Sequence, residues 1–364
     1  MTQGIQAFLP YAAPIPGPAG WIEVLSFITF TAHLLLMNAL VGTLLLAVLR
    51  WRSPHAAVRQ NLEDSLPMLP KGVALTVNLA VPPLLFLQVL YGRFFYSGSI
   101  IQSVWWLGIM LLVMMAYYGL YLAAAKENGR RFVLGIATCL LLLTAFILTA
   151  NAALVLNPQV WPNWLPERAS ALLLAGAGTV VPRFLHSLLA CMAVGGLCLA
   201  GLATLRQNKG IAGQEPAITQ GLAWFRHATL GQLAVGTWYF FSLTPQQQHF
   251  LLTTPAIHAL YTFLGLGMGL GVWLSLRAKV WQTVGVAAFL VATMVAVRAL
   301  LRQFVLMGVQ AGSMPPEYAV PPSVLVLFLV SVLGTFAGIF WALRLCARAY
   351  STPSAAQPQH TKEA

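Results

Sequence analysis

Long apolar runs, each interrupted by a short cluster of charged residues or of Pro and Gly, repeat along almost the whole chain. A helix crossing a bilayer needs roughly 20 predominantly apolar residues, whereas helices and strands of soluble domains show polar positions at every turn or every second residue. By that rule the runs predict nine spans, near 22–49, 73–92, 104–125, 132–156, 181–205, 219–243, 256–276, 281–301 and 321–346. The breaks are strongly marked: Arg50-Trp51-Arg52-Ser53-Pro54 follows the first span, Lys126-Glu127-Asn128-Gly129-Arg130-Arg131 follows the third, and Pro315-Pro316 and Pro321-Pro322 precede the ninth. Pro82-Pro83 inside the second span predicts a kink there, which neighbouring helices can tolerate by satisfying the freed carbonyls. No repeat of fixed period is present. The expected architecture is an all-α integral membrane protein, a nine-helix transmembrane bundle over 22–347, with a tail at 1–21 and a polar tail at 348–364.

Composition removes the main competitor to this picture. The 364 residues are 59% hydrophobic and 8% charged, with mean hydropathy +0.78. Soluble domains carry about a quarter charged residues, so a soluble enzyme is excluded. The formal charge of +12 is then a topology signal and not a nucleic-acid signal, because membrane proteins concentrate Lys and Arg on the cytoplasmic side. An odd number of spans puts the termini on opposite sides. With the N-terminus outside, the inner segments collect fifteen of the 20 basic residues, leaving Arg93, Arg168, Arg183, Arg298 and Arg302 outside. The expected orientation is therefore N-out, C-in, in the cell (cytoplasmic) membrane. Trp161-Pro162-Asn163-Trp164 then falls at the outer interface, in a loop over 157–180 whose segment 169–177 fits a short interfacial helix. The first twenty residues hold no Lys or Arg and four prolines, which reads as an irregular translocated tail and not a signal peptide. The four cysteines lie in apolar runs without a Cys-x-x-Cys pattern, so zinc, disulfides and covalently attached haem find no support.

No carboxylate falls in the interior of any predicted span, which argues against proton pumping and ion-coupled transport. Histidine is the chemistry that remains. His33 lies in the first span, His186 in the fifth and His258 at the start of the seventh. These three spans run from outside to inside, so all three imidazoles belong to the outer half. A neutral imidazole with one nitrogen free and the other partnered is the usual metal or haem ligand, and Thr29, one turn before His33, is a candidate partner. Arg183 lies one turn from His186, while Arg298 and Arg302 share a face of the eighth span. Guanidinium groups at that depth suit the two propionates of a haem. Gln88, with Tyr91 and Arg93, is a candidate contact for a quinone head group. His227 and His249 read as packing or loop residues. Ala193-Val194-Gly195-Gly196 and the glycines from Gly265 to Gly271 read as close-packing stripes. For any single histidine the bland alternative is a hydrogen-bonded packing residue.

Several of these segments resemble one family in order and topology. Residues 25–46 (LSFITFTAHLLLMNALVGTLLL) resemble the first helix of the haem-bearing subunit I of cytochrome bd-type quinol oxidases. Residues 182–196 (PRFLHSLLACMAVGG) resemble its fifth helix, and 221–236 (GLAWFRHATLGQLAVG) its sixth, with Phe225-Arg226 matching a recurrent Phe-Arg. The resemblance implies haem b held by His33 and His186, with Arg226 in a cofactor-contacting segment and His258 replacing a second ligand for the haem on His186. Three family features are missing. The third span reads LLVMMAYYGLY over 111–121, without the oxygen-site acid. The eighth holds no Gly-Arg-Gln-Pro-Trp signature, and the quinol loop is reduced to about 244–255. The expectation is consequently a b-type haem electron-transfer subunit, not an oxygen reductase, moving electrons between the quinone pool and an outer-side partner such as a c-type cytochrome, within membrane lipid. Two other readings stay open: a cofactor-free membrane anchor or scaffold of a respiratory complex, and a transporter for a neutral solute.

Overall fold

A computed structural model describes residues 9–10, 13–161, 177–309 and 321–351. The regular elements among these residues are all helices, joined by short non-helical connections, with no strand among them. The elements are α1 (Ala19–Leu49), α2 (Ala56–Ser65), α3 (Leu69–Ile101), α4 (Ser103–Ala125), α5 (Arg130–Val155), α6 (Ala177–Asn208), α7 (Glu215–Ser242), α8 (Pro245–Thr253), α9 (Pro255–Leu276), α10 (Val280–Val309) and α11 (Pro322–Ser351). Short 3-10 turns occupy Leu66–Met68 and Pro158–Val160. Seven helical stretches are long and apolar enough to cross a bilayer: α1, the continuous run Ala56–Ile101, α4, α5, α6, α9 and α10. The chain is a helical, multi-pass membrane protein. The two other expected spans, 219–243 and 321–346, coincide with α7 and α11.

The chain divides into two compact units, one holding Met1–Ile15 and Ala19–Pro316, the other Pro16–Pro18 and Glu317–Ala364. The second unit contains α11. In the first, α1 is the central helix, packed against α3, α5, α6 and α10. Pairs formed by sequence neighbours, α4 with α5, α6 with α7 and α9 with α10, surround it. The bilayer-facing perimeter exposes large apolar side chains such as Leu107, Met110, Met114, Leu266 and Phe241, as expected where the solvent is hydrocarbon. Half of the apolar window of α6 is buried, against 17% for α4, so α6 is interior and α4 peripheral.

Three features depart from the pattern-based expectation. First, α2 and α8 lie in segments expected to be loops. Helix α2 buries Val58, Asn61 and Leu62, and α8 begins with a capping box in which Thr244 and Gln247 satisfy each other's backbone N–H groups. Second, besides the prolines at which a kink was expected, α3 leaves helical geometry further along, at Tyr91. Both prolines stay inside the helix, and Tyr91 adopts φ −132°, ψ 29°. Third, α3 reaches Ile101, about two turns past the expected end at 92. The predicted interfacial helix at 169–177, Trp164, Pro315-Pro316 and most of both tails lie outside the described residues, apart from Ala177, which opens α6.

Away from the histidines, polar contacts fasten one end of the bundle. Asn61 on α2 donates to Gln214 at the α7 N-cap at 2.9 Å, both buried. Arg206 pairs with Asp64, and Gln207 donates to Glu215.

Candidate functional site

The site is built on the α1–α6 crossing. A Cβ placed on Gly42 would overlap the Cys191 carbonyl and lie 2.8 Å from the Gly195 Cα, so the two backbones touch through glycine. One turn earlier, the Cys191 thiol donates to Asn38 Oδ1 at 3.2 Å. Residue numbers rise together along both helices, so α1 and α6 run parallel. The next residue, Gly196, meets Gly221 on α7 from the other side, where a Cβ would lie 2.5 Å from the Gly221 carbonyl oxygen and 2.7 Å from the Trp224 Cβ. Gly195-Gly196 thus clamps α6 between α1 and α7, the packing role expected of this stripe. In the other stripe, Gly267 and Gly271 face Leu290 and Phe225, whereas Gly265 and Gly269 face open space.

His33 and His186 each stand nine residues before their contact glycine, about 13 Å along the axis, and therefore at one level of the bundle. Both are half-buried. His33 Nδ1 is 3.1 Å from the Thr76 carbonyl on α3. A carbonyl only accepts, so this contact puts the proton on Nδ1 and the lone pair on Nε2. Thr29, the expected partner, instead donates to the Leu25 carbonyl at 2.7 Å, as hydroxyls within helices often do. The His186 ring faces Gly236 on α7, where a Cβ would lie 3.5 Å from Cε1, and it is partnered by the Gln232 backbone one turn earlier on the same helix.

Three guanidiniums cluster around Arg298, next to His33. Arg298 has Arg183, Arg302 and Tyr239 as charged or ionisable neighbours and also lies near His33. Its guanidinium carbon stands 4.8 Å over the Phe30 ring, and Phe30 in turn packs 6.3 Å from the His33 ring. Arg302 stands 5.0 Å over Tyr91, with its Nε buried and unpartnered. Glu23 approaches the same Tyr91 from α1. Among the described residues, none of Arg183, Arg298 and Arg302 forms an ion pair with a carboxylate. Burying like charges together is costly unless an anion or a hydrogen-bond acceptor compensates.

The remaining sequence candidates lie elsewhere. His258 Nε2 contacts the Leu252 carbonyl at the α8–α9 corner, and its side chain is exposed. Arg226 donates to the Ser275 carbonyl at 3.4 Å, on the last turn of α9, where a cation complements the helix dipole. Gln88 accepts from the Tyr96 hydroxyl at 3.0 Å, across the Tyr91 break. Sequence reasoning missed Thr76, Phe30 and Glu23 as site residues. Only Glu23 carried a readable signal, being the one carboxylate placed at the outer end of the first span.

Chemically, the level offers two imidazoles on adjacent parallel helices, each held by a backbone partner, near three guanidiniums that form no ion pair among the described residues. These fit a haem: imidazole nitrogens for iron, guanidiniums for carboxylates. No known family model and no curated protein matches the chain.

Proposed function

We propose that this chain is a nine-span, N-out, C-in subunit of the cytoplasmic membrane that binds b-type haem through His33 and His186 and passes electrons between the quinone pool and a redox protein on the outer side. It is a divergent relative of the haem-bearing subunit I of cytochrome bd-type quinol oxidases. The observation that carries this reading is the shared level of His33 and His186, with Arg298 beside His33, Arg183 and Arg302 beside Arg298, and no ion-paired carboxylate on these arginines among the described residues. In a packing-only role, the repulsion among three adjacent guanidiniums would be offset, among the described residues, only by aromatic faces, Tyr239 and the nearby Glu23.

The residues divide the work. Thr76 holds the His33 ring so that Nε2 faces away from α3 with its lone pair available. Gly236 leaves room beside His186, and the glycine contacts fix the distance between the two helices. Arg298 and Arg302 stand on one face of α10, suited to a pair of carboxylates. When bound, haem b supplies one-electron transfer. Tyr91, with Arg302 over its ring and Glu23 beside it, offers a proton-exchanging hydroxyl near the end of the bundle, where a quinol head group would have to lose protons as it loses electrons. Gln88 and Arg93, whose Nε is buried and unpartnered, flank it on α3.

The test is a reduced-minus-oxidised absorption spectrum of the purified chain, followed by addition of a quinol. A b-type spectrum that the quinol reduces supports the proposal. A colourless protein from haem-replete cells refutes it and leaves a cofactor-free anchor of a respiratory complex as the better reading.

A further inference from the structure

A groove of about 800 Å³ opens along α5, outside the level of the histidines. Trp51, Glu127, Arg130 and Arg131 border its polar end. Its floor is a stripe on one helix face, Gly135, Cys139 and Leu143 at four-residue spacing with Ile136 and Leu140 beside them. Nothing stands within 4 Å of a Cβ built on Gly135, and Cys139 is exposed, so the floor is open. From Arg131 to Leu143 the helix rises about 18 Å, close to the roughly 15 Å depth of one leaflet's hydrocarbon.

The charges at the polar end are unequal. Arg130 is committed to the α4–α5 corner, its Nε donating to the carbonyls of Ala123 at 3.0 Å and Lys126 at 3.2 Å. Arg131 and Glu127 are exposed, and neither forms an ion pair among the described residues. Two guanidiniums against one carboxylate leave the rim cationic. Helix α5 adds to this, since it starts at Gly129 with no side-chain cap and no acid in its first turn. An indole at the rim, Trp51, is at home where hydrocarbon meets head groups.

We propose that this groove binds one acidic phospholipid, its phosphate at Arg131 and one acyl chain along Gly135, Cys139 and Leu143. Charge and shape together select this occupant. A neutral quinone head would leave the cationic rim uncompensated, and a zwitterionic phosphatidylcholine brings no net charge and no hydrogen-bond donor for Glu127. Free phosphate would leave the apolar floor uncovered.

The experiment titrates the delipidated full chain in neutral detergent with phosphatidylglycerol, phosphatidylcholine or inorganic phosphate, and reads bound adducts by native mass spectrometry. A second readout is the rate at which a maleimide modifies Cys139. Wild type is expected to bind phosphatidylglycerol at lower concentration than phosphatidylcholine, and phosphatidylglycerol alone should protect Cys139. Arg131→Gln should weaken phosphatidylglycerol about fivefold, the effect of one basic residue near a lipid surface, and Glu127→Gln should strengthen it. Gly135→Leu, filling the floor, should remove the adduct of either lipid. Arg131→Gln and Glu127→Gln alter exposed side chains and keep the test decisive if Gly135→Leu fails to fold. Equal binding of the two lipids, indifference to Arg131→Gln, or Cys139 protection by inorganic phosphate alone would each overturn the proposal.

Discussion

Replacing Gly195 by Ala tests the packing that sets the two histidine-bearing helices side by side. The added Cβ would lie 2.6 Å from the Gly42 Cα and overlap the Gly42 carbonyl group as well, all of it backbone that cannot swing aside. Ordinary contact begins at 3.4 Å, so α1 and α6 must part by roughly 1 Å, which strips part of the dispersion energy from every contact along the crossing. Overpacking of this kind costs about 1–3 kcal/mol. The Cys191–Asn38 hydrogen bond, one turn away at 3.2 Å, would lengthen with the same movement. Equilibrium unfolding in SDS, followed by far-UV circular dichroism, measures the effect. Gly269→Ala is the control, because its Cβ would meet nothing within 4 Å. There the change should be neutral or stabilising by up to about 1 kcal/mol, since glycine is the poorer helix residue. A Gly195→Ala protein as stable as wild type, or a Gly269→Ala protein equally damaged, would refute the assigned crossing.

Other outcomes follow from single contacts. Arg298→Gln should reduce the haem retained per chain without lowering the SDS unfolding midpoint, because it relieves repulsion with Arg183 and Arg302; a loss of stability like that of Gly195→Ala would mark Arg298 as structural. Asn61→Ala, which removes the donor to buried Gln214, should cost about 1–3 kcal/mol in the same assay. Asp64→Asn should cost no more than about 1 kcal/mol, since the Asp64 side chain is 40% exposed and solvent screens its pair with Arg206. Thr244→Ala removes the α8 capping box and should speed exchange of the Gln247 amide, by an amount equivalent to about 1 kcal/mol.

The helices were legible because bilayer thickness imposes a length that apolar runs must meet, and seven of the nine runs lie in helical stretches long and apolar enough to cross a bilayer, the other two coinciding with α7 and α11. Short elements were harder. Helix α2 carries only three buried side chains and no apolar run, although Thr244-Pro245-Gln246-Gln247 did hold a readable start signal for α8. The glycine pair at 195–196 was recognisable as a packing stripe. That it faces two different helices was not, because i and i+1 diverge by about 100° and only tertiary structure assigns the partners. The candidate site shows the same division. His33, His186 and the three arginines could be picked out as ionisable groups in apolar surroundings, and span alternation already put the two imidazoles in one half, but the register that levels His33 with His186 is set by glycine contacts that no local pattern encodes. Thr29 was the nearer hydroxyl to His33 in sequence, yet its own helix claims it, and the His33 partner is a backbone carbonyl 43 residues away. Arg226 and His258 looked equivalent to the others by residue type, but one caps the end of α9 and the other turns to the α8–α9 corner.

The most direct test of the central claim is haem per polypeptide, by pyridine haemochrome, in wild type, His33→Ala, His186→Ala and His258→Ala. The account predicts one or two b-type haems in wild type, a loss in each of His33→Ala and His186→Ala, and no change in His258→Ala. Haem content indifferent to His33 and His186, or no haem in wild type, would contradict it.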